Sequence, residues 1–198
     1  MRATVTTQVT LDRRHQRRLR GMRRIQNAAL DLFEARGFDR VTIEQVALAA
    51  EVSAPTVYRS FGNKEQLVLW DDYDPMLLQQ IGQRLPARSL RKAVLESLIA
   101  CLNEIYGTER IRILRRSRLI LAQPSLRAAS SAQLADLKRA LADLFLIRRA
   151  CQTKLEAEVT AGGVVAVLDS GVHHWVREKG RRPLEDVLRE AFAHLAAF

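Results

Sequence analysis

The chain has 198 residues and a formal net charge of +10, with 32 Lys and Arg against 22 Asp and Glu. Glycine (9) and proline (5) are sparse while leucine, alanine and arginine are abundant, which favours an all-α protein with one sizeable core or two small ones. Two distant cysteines, Cys101 and Cys151, argue against a disulfide framework or a metal site. No apolar run of about 18 residues is present to span a membrane, so a cytoplasmic protein is expected.

Excess positive charge makes a polyanion the expected large partner. It is densest at the start: residues 1–70 carry 12 Lys and Arg against 7 Asp and Glu. Residues 1–18 read as a basic, partly disordered arm, with Arg13, Arg14, Arg17 and Arg18 opposed only by Asp12. The cluster continues through Arg20, Arg23 and Arg24. It could follow a phosphate backbone or simply be solvated.

Three helix starts follow within residues 42–66. Thr42 and Gln45 have the spacing of a capping box, flanked by a Val41–Val46 staple. Ser53 is a second cap candidate, with Val52 and Val57 as staple and Pro55 in the first turn; Asn63 with Gln66 is a third. The middle helix is too short to stand alone. Val57 and Phe61 can face inward, leaving Thr56, Tyr58 and Arg59 outward beside the small Ser53 and Ala54. Such a helix suits a DNA major groove; an ordinary helical corner is the other reading of the spacing.

Helical pattern continues from Asn63 toward Gln83, with an interruption expected at Asp74-Pro75. Further helices are expected over Ser89–Gly107, Glu109–Ala122 and Leu126–Arg149. Two more close the chain, at about residues 155–179 and 183–196, the first ended by Gly180 and the second opened by Pro183. The arginine-rich segment from Arg110 to Arg118 reads as a solvated basic face, or as one in which Arg118 points inward to a carboxylate or an anionic ligand. His173 and His174 diverge by about 100° on a helix and cannot readily share a metal. No catalytic constellation, metal site or cofactor loop emerges.

From Arg23 to Trp70 the sequence resembles the DNA-binding domain of the TetR family of transcriptional regulators: Ile25, Ala28, Ala29, Leu32 and Phe33 match the apolar face of that family's first helix, and Gly37-Phe38 the turn after it. Ser53-Ala-Pro-Thr-Val-Tyr-Arg-Ser-Phe61 resembles that family's recognition helix, and Asn63-Lys64-Glu65 the start of its fourth helix. Glu51 departs from the glycine often found in the turn. The resemblance implies about nine helices: a helix-turn-helix domain over residues 19–70 and an effector-binding and dimerisation domain over 71–198. It further implies double-stranded operator DNA as partner, a homodimer through the last two helices, and a repressor released by an unidentified small hydrophobic or amphipathic effector. A sequence-nonspecific architectural DNA-binding protein is the alternative. The matched DNA-binding positions are Thr42, Ser53, Ala54, Pro55, Thr56, Tyr58, Arg59, Ser60 and Lys64, with Tyr58 and Lys64 against phosphates and Thr56 nearest the bases. In the dimer, Gly171 would permit close approach, with Trp175 and Phe192 in the contact. Facing positions on the intervening helices nominate an effector cavity walled by Trp70, Tyr73, Met76, Leu77, Leu102, Tyr106, Leu114, Arg118 and Phe145.

Overall fold

The computed structural model describes the backbone of residues 2–70 and 73–197, and the side chains of residues 16–70, 73–104 and 109–195. Among the described residues, nine α-helices and one 3-10 turn make up the regular structure. The chain divides into two compact units, Met1–Trp70 and Asp71–Phe198.

The first unit holds α1 (Arg2–Arg36), α2 (Ile43–Ala49), α3 (Ala54–Phe61) and α4 (Lys64–Leu69). A partly disordered arm was expected over residues 1–18, but α1 is continuous from Arg2. A packed C-terminal half supplies the nucleus, and each further residue then adds one hydrogen bond at little cost. The side chains of Arg13 and Arg14 lie outside the described residues, while Arg17, Arg18 and Arg20 are exposed. Met22, Ile25, Ala29, Leu30 and Phe33 form the buried stripe of α1, with Ala28 and Leu32 half-buried at its edges. Val41, Ile43, Val46, Ala47, Val57, Phe61 and Leu67 to Leu69 are buried in the same unit.

One polar side chain joins this core. Gln26 is fully buried, and its Nε2 donates to the carbonyls of Leu67 at 3.0 Å and Trp70 at 2.9 Å. Carbonyls in the last turn of a helix lack intrahelical partners, so this amide completes the end of α4 from the side of α1.

Two of the three helix starts are as expected. The Thr42 hydroxyl accepts from Gln45 N at 3.3 Å while Thr42 N donates to Gln45 Oε1 at 3.1 Å, and Asn63 Oδ1 accepts from Gln66 N at 2.9 Å. Ser53 differs. It occupies the cap position of α3, but its hydroxyl bonds that of Thr56, and the Thr56 amide donates to the Ser53 carbonyl at 2.9 Å instead.

The second unit contains α5 (Tyr73–Arg84), a 3-10 turn at Leu85–Ala87, α6 (Leu90–Ala122), α7 (Pro124–Ile147), α8 (Lys154–Arg177) and α9 (Leu184–Ala197). Asp74-Pro75 does not interrupt a helix; both lie in the first turn of α5, where proline has no amide bond to lose. The segments expected as separate helices, Ser89–Gly107 and Glu109–Ala122, form one 33-residue helix. Glycine costs about 1 kcal/mol in a helix interior, too little to stop one flanked on both sides by good helix formers.

The core of this unit gathers Ile81, Val94, Leu98, Leu141, Phe145, Ala157, Ala161 and Phe192, together with both cysteines. Burial pushes the Cys101 thiol up to about 11, as befits a small apolar filler. A satellite cluster joins Trp175 to Leu184, Val187 and Leu188, and the indole Nε1 donates to the Arg182 carbonyl at 2.9 Å. These contacts correct the assignment of Gly171, Trp175 and Phe192 to a dimer contact. All three are buried within the chain. A Cβ on Gly171 would lie 2.5 Å from Leu188 Cδ2, so its small size serves the packing of α8 on α9.

Replacing Gln26 by leucine keeps the volume and removes the donor to two carbonyls at the end of α4. We expect a loss of about 1–3 kcal/mol, read as a lower urea midpoint of the helical circular dichroism signal. An unchanged midpoint would show that the bond adds nothing to stability.

Candidate DNA-binding face and ligand cavity

Between α2 and α3 the chain turns through Glu51, whose φ of 53° is left-handed. A non-glycine residue there costs about 1 kcal/mol, which the amide bonds from Glu51 N to Leu48 O and from Val52 N to Ala47 O offset. Val57 and Phe61 are buried, so the rotation of α3 is fixed and its other face is left outward. That face carries Tyr58 and Arg59, exposed, with Thr56 and Ser60 half-buried beside them. Ala54 and Pro55 form its first turn, and the hydroxyls of Ser53 and Thr56 share a hydrogen bond of 2.8 Å.

Thr42 is exposed at the start of α2. Lys64 is half-buried; its Nζ stands 4.4 Å from the centre of the Phe38 ring and donates to the Asp39 carbonyl at 3.4 Å. The ammonium has three donors, so this anchoring leaves others available. Two outward residues escaped the sequence reading. Leu48 is exposed on α2, and Glu44 accepts a hydrogen bond from the Tyr58 hydroxyl at 3.4 Å. The Glu44 carboxyl is held below the usual carboxylate range, first by its own backbone amide, then by the Thr42 and Tyr58 hydroxyls. Its place in the first turn, two residues after the cap, was the available signal.

The second unit holds a half-open cavity of about 240 Å³. Its walls are mostly apolar: Leu77 from α5, Leu98, Leu102, Ile113 and Ile120 from α6, Leu134 and Leu137 from α7, Leu168 and Val172 from α8, and Leu184 and Leu188 from α9. Polar groups come from Tyr73, Asp74, Arg116, Asp169 and His173. Arg116 is buried, as is Arg112 one turn earlier. Arg112 lies 2.5 Å from a Glu109 carboxylate oxygen and donates to the Tyr73 hydroxyl at 3.0 Å. Burial raises the Tyr73 pKa, opposed by the nearby positive charges of Arg112 and Arg116. His173 pairs with Asp169 at 3.4 Å, one turn away on α8.

Of the nominated wall residues, the cavity contains Tyr73, Leu77 and Leu102. Tyr106 lies outside the described side chains. Trp70 belongs to the first unit, where its ring stacks edge-on against Phe61. Phe145 and Met76 pack in the core, and Leu114 packs with the Trp175 cluster. Arg118 is exposed; the inward arginines are Arg112 and Arg116. The two last helices, expected to serve a partner alone, supply part of the cavity wall.

Comparison with known proteins matches both units. Residues 25–69 fit the profile of bacterial regulatory proteins of the tetR family, and residues 88–198 fit that of the MftR C-terminal domain. The chain is 28% identical over 159 residues to MftR of Mycobacterium tuberculosis, a protein named for regulating mycofactocin biosynthesis; the match covers 78% of this chain and 79% of that one. The regulator TcmR of Streptomyces glaucescens is 44% identical over 55 residues, 27% of this chain and 24% of that one. Two solved structures share the fold. SmeT, the efflux-pump repressor of Stenotrophomonas maltophilia, has a TM-score of 0.59 at 17% identity, covering 89% of this chain and 88% of that one. FadR of Thermus thermophilus, a repressor crystallised with lauroyl-CoA, has a TM-score of 0.55 at 20% identity over 88% and 93%. The chain belongs to the TetR family of transcriptional regulators.

Proposed function

We propose that this regulator is a dimeric repressor that reads its operator with α3 and releases it when a small, mostly apolar effector fills the cavity of the second unit. The observation that carries the reading is the outward face of α3. Two buried anchors fix that helix, and hydroxyl and cationic side chains project from the other side. Thr56, with its small neighbours Ser53 and Ala54, suits contact with base edges, and Arg59 and Ser60 can add to sequence choice. Tyr58, Lys64 and Thr42 suit phosphate oxygens, which position the helix without reading sequence. The basic start of α1 adds charge that any duplex would attract.

Dimerisation is supported by an apolar strip that the chain itself does not cover. Leu155 and Val159 on α8 are 70% and 66% exposed, and Leu195 on α9 is 46% exposed. Gly163, four residues after Val159, lets Leu195 lie close to α8; a Cβ there would meet Leu195 Cδ2 at 3.2 Å. A second copy seated on this strip would give two recognition helices for major grooves about 34–36 Å apart.

The cavity is supported as an effector site by its apolar lining and by the buried guanidinium of Arg116 in its wall. An amphipathic effector fits both. Relatives of the same fold have been crystallised with lauroyl-CoA and with triclosan. For such a ligand to relieve repression, it must bind the DNA-incompetent state more tightly, and DNA must weaken its binding by the same factor. The genes beside this one, and those for mycofactocin biosynthesis, are the first to search for an operator.

Footprinting on upstream regions of those genes tests the reading, since a protected palindrome is expected; uniform protection at all sequences would favour the architectural alternative. Lys64→Ala should weaken binding to every duplex alike and lower the salt slope by about one unit, measured by fluorescence anisotropy. An unchanged slope would remove Lys64 from the phosphate contacts.

Val159→Glu places a charge in a desolvated dimer contact without touching the core. It should yield a folded monomer by light scattering that no longer retains operator DNA. A variant that stays dimeric would move the interface elsewhere.

Leu134→Trp fills part of the cavity from a half-buried position. Lipophilic anions that raise the melting temperature of the natural protein should lose that effect in the variant. Equal shifts in both would place their binding outside the cavity.

A further inference from the structure

We propose that Glu44 sets the affinity of the DNA-binding face by competing with the DNA phosphate for the hydroxyl proton of Tyr58. The inference rests on the DNA-binding role of α3 argued above and adds a residue that opposes it. A tyrosine hydroxyl has one proton to give. Here it is directed to Glu44 Oε1 across 3.4 Å, from the recognition helix α3 to the first turn of α2. Tyr58 is 47% exposed, so the ring is free to turn toward a duplex.

The bond is long and costs little to break. The charge is the larger obstacle. A phosphate oxygen in hydrogen-bond reach of Tyr58 would stand roughly 6 Å from the carboxylate, well inside the Debye length of ~10 Å at 0.1 M salt. Ionised at neutral pH, Glu44 repels it. The Thr42 hydroxyl and the α2 backbone, which lower the pKa of Glu44, keep the charge in place. Every duplex presents phosphates, so the effect is uniform across sequences. It tempers a chain of net charge +10 that would otherwise linger on any DNA.

The test uses the full-length chain with Glu44→Gln, Glu44→Ala and Tyr58→Phe, singly and as the pair Glu44→Ala with Tyr58→Phe. Anisotropy is measured over a salt series on a mixed-sequence duplex of about 30 base pairs, long enough for two half-sites. Glutamine keeps an acceptor without the charge and alanine removes both. Both changes keep the two Thr42–Gln45 capping-box bonds and lose the carboxylate that the Thr42 hydroxyl also meets. We expect Glu44→Gln to bind about three- to tenfold more tightly at low salt, converging on the natural protein as salt rises. Glu44→Ala should bind at least as tightly as Glu44→Gln. Tyr58→Phe should cost more affinity in the Glu44→Ala background than alone, because the hydroxyl is then wholly available to phosphate.

Equal affinity in Glu44→Gln and the natural protein would overturn the proposal. So would weaker binding by folded Glu44→Gln, which would make Glu44 a support for Tyr58 or a direct contact. Should alanine prevent folding, by circular dichroism, the glutamine variant decides alone. If the natural protein and all variants leave the duplex free at low salt, the DNA-binding reading falls and the competitor role falls with it.

Discussion

Helices of seven and eight residues do not hold themselves together in water. The first unit therefore depends on one constraint: α2 and α3 exist only as long as their few apolar side chains are buried against α1 and α4. Val46, Ala47, Val57 and Phe61 supply that burial, and each larger one contributes about 1.5–3 kcal/mol. Two anchors four residues apart on α3 also fix its rotation, so the face offered to solvent is decided by the core. Gln26 closes the arrangement by tying the end of α4 to α1, the only other element long enough to act as a frame. The outward side chains of Tyr58 and Arg59 are thereby left out of the core.

The second unit works from the opposite condition. Its principal helices run to 24 and 33 residues, and their length makes local defects tolerable. A cavity forfeits packing contacts that a ligand would restore. Buried arginines need partners within the low-dielectric interior, and Arg112 finds them in Glu109 and Tyr73. The charged cluster therefore lies beside the cavity because α6 carries both. An apolar ligand with one polar end would exchange its hydration for this setting, whereas a wholly apolar one would leave the guanidinium in the wall without added benefit.

Much of the first unit was legible because its signals are local. Capping residues act over three positions, and Thr42 with Gln45 and Asn63 with Gln66 formed the bonds their spacing implied. Ser53 was the exception: a second hydroxyl at Thr56 competed for its side chain, and both choices were open to the same sequence. The second unit was less legible because phase must be carried over long distances. Reading a break at Gly107 reset the helical phase and offered Arg118 as the inward arginine. Carried through from Val94, Leu98 and Cys101, the uninterrupted phase brings Arg112 and Arg116 inward and leaves Ile111 exposed. Trp175 failed for another reason. A large aromatic fits a domain core and a protein interface equally well, and only the three-dimensional neighbours distinguish them.

The separation of labour between the units has an energetic consequence. On the reading proposed above, phosphate contacts from a single small head are few and Glu44 opposes one of them, so one head alone would hold DNA weakly. Joining two heads makes the second contact intramolecular and multiplies the affinity without any new bond. That gain exists only while both heads can engage together, and it vanishes when their spacing no longer matches the grooves. An effector then has no need to disrupt α3 or its anchors. In the proposed dimer it would have only to favour one arrangement over another, and a differential affinity of a few kcal/mol would move such an equilibrium from mostly bound to mostly released. A ligand of modest size seated in the half-open cavity between α5 and α9 would draw on apolar burial for that difference. Under that proposal the short helices of the first unit need no switching role, in keeping with how few residues hold them in place.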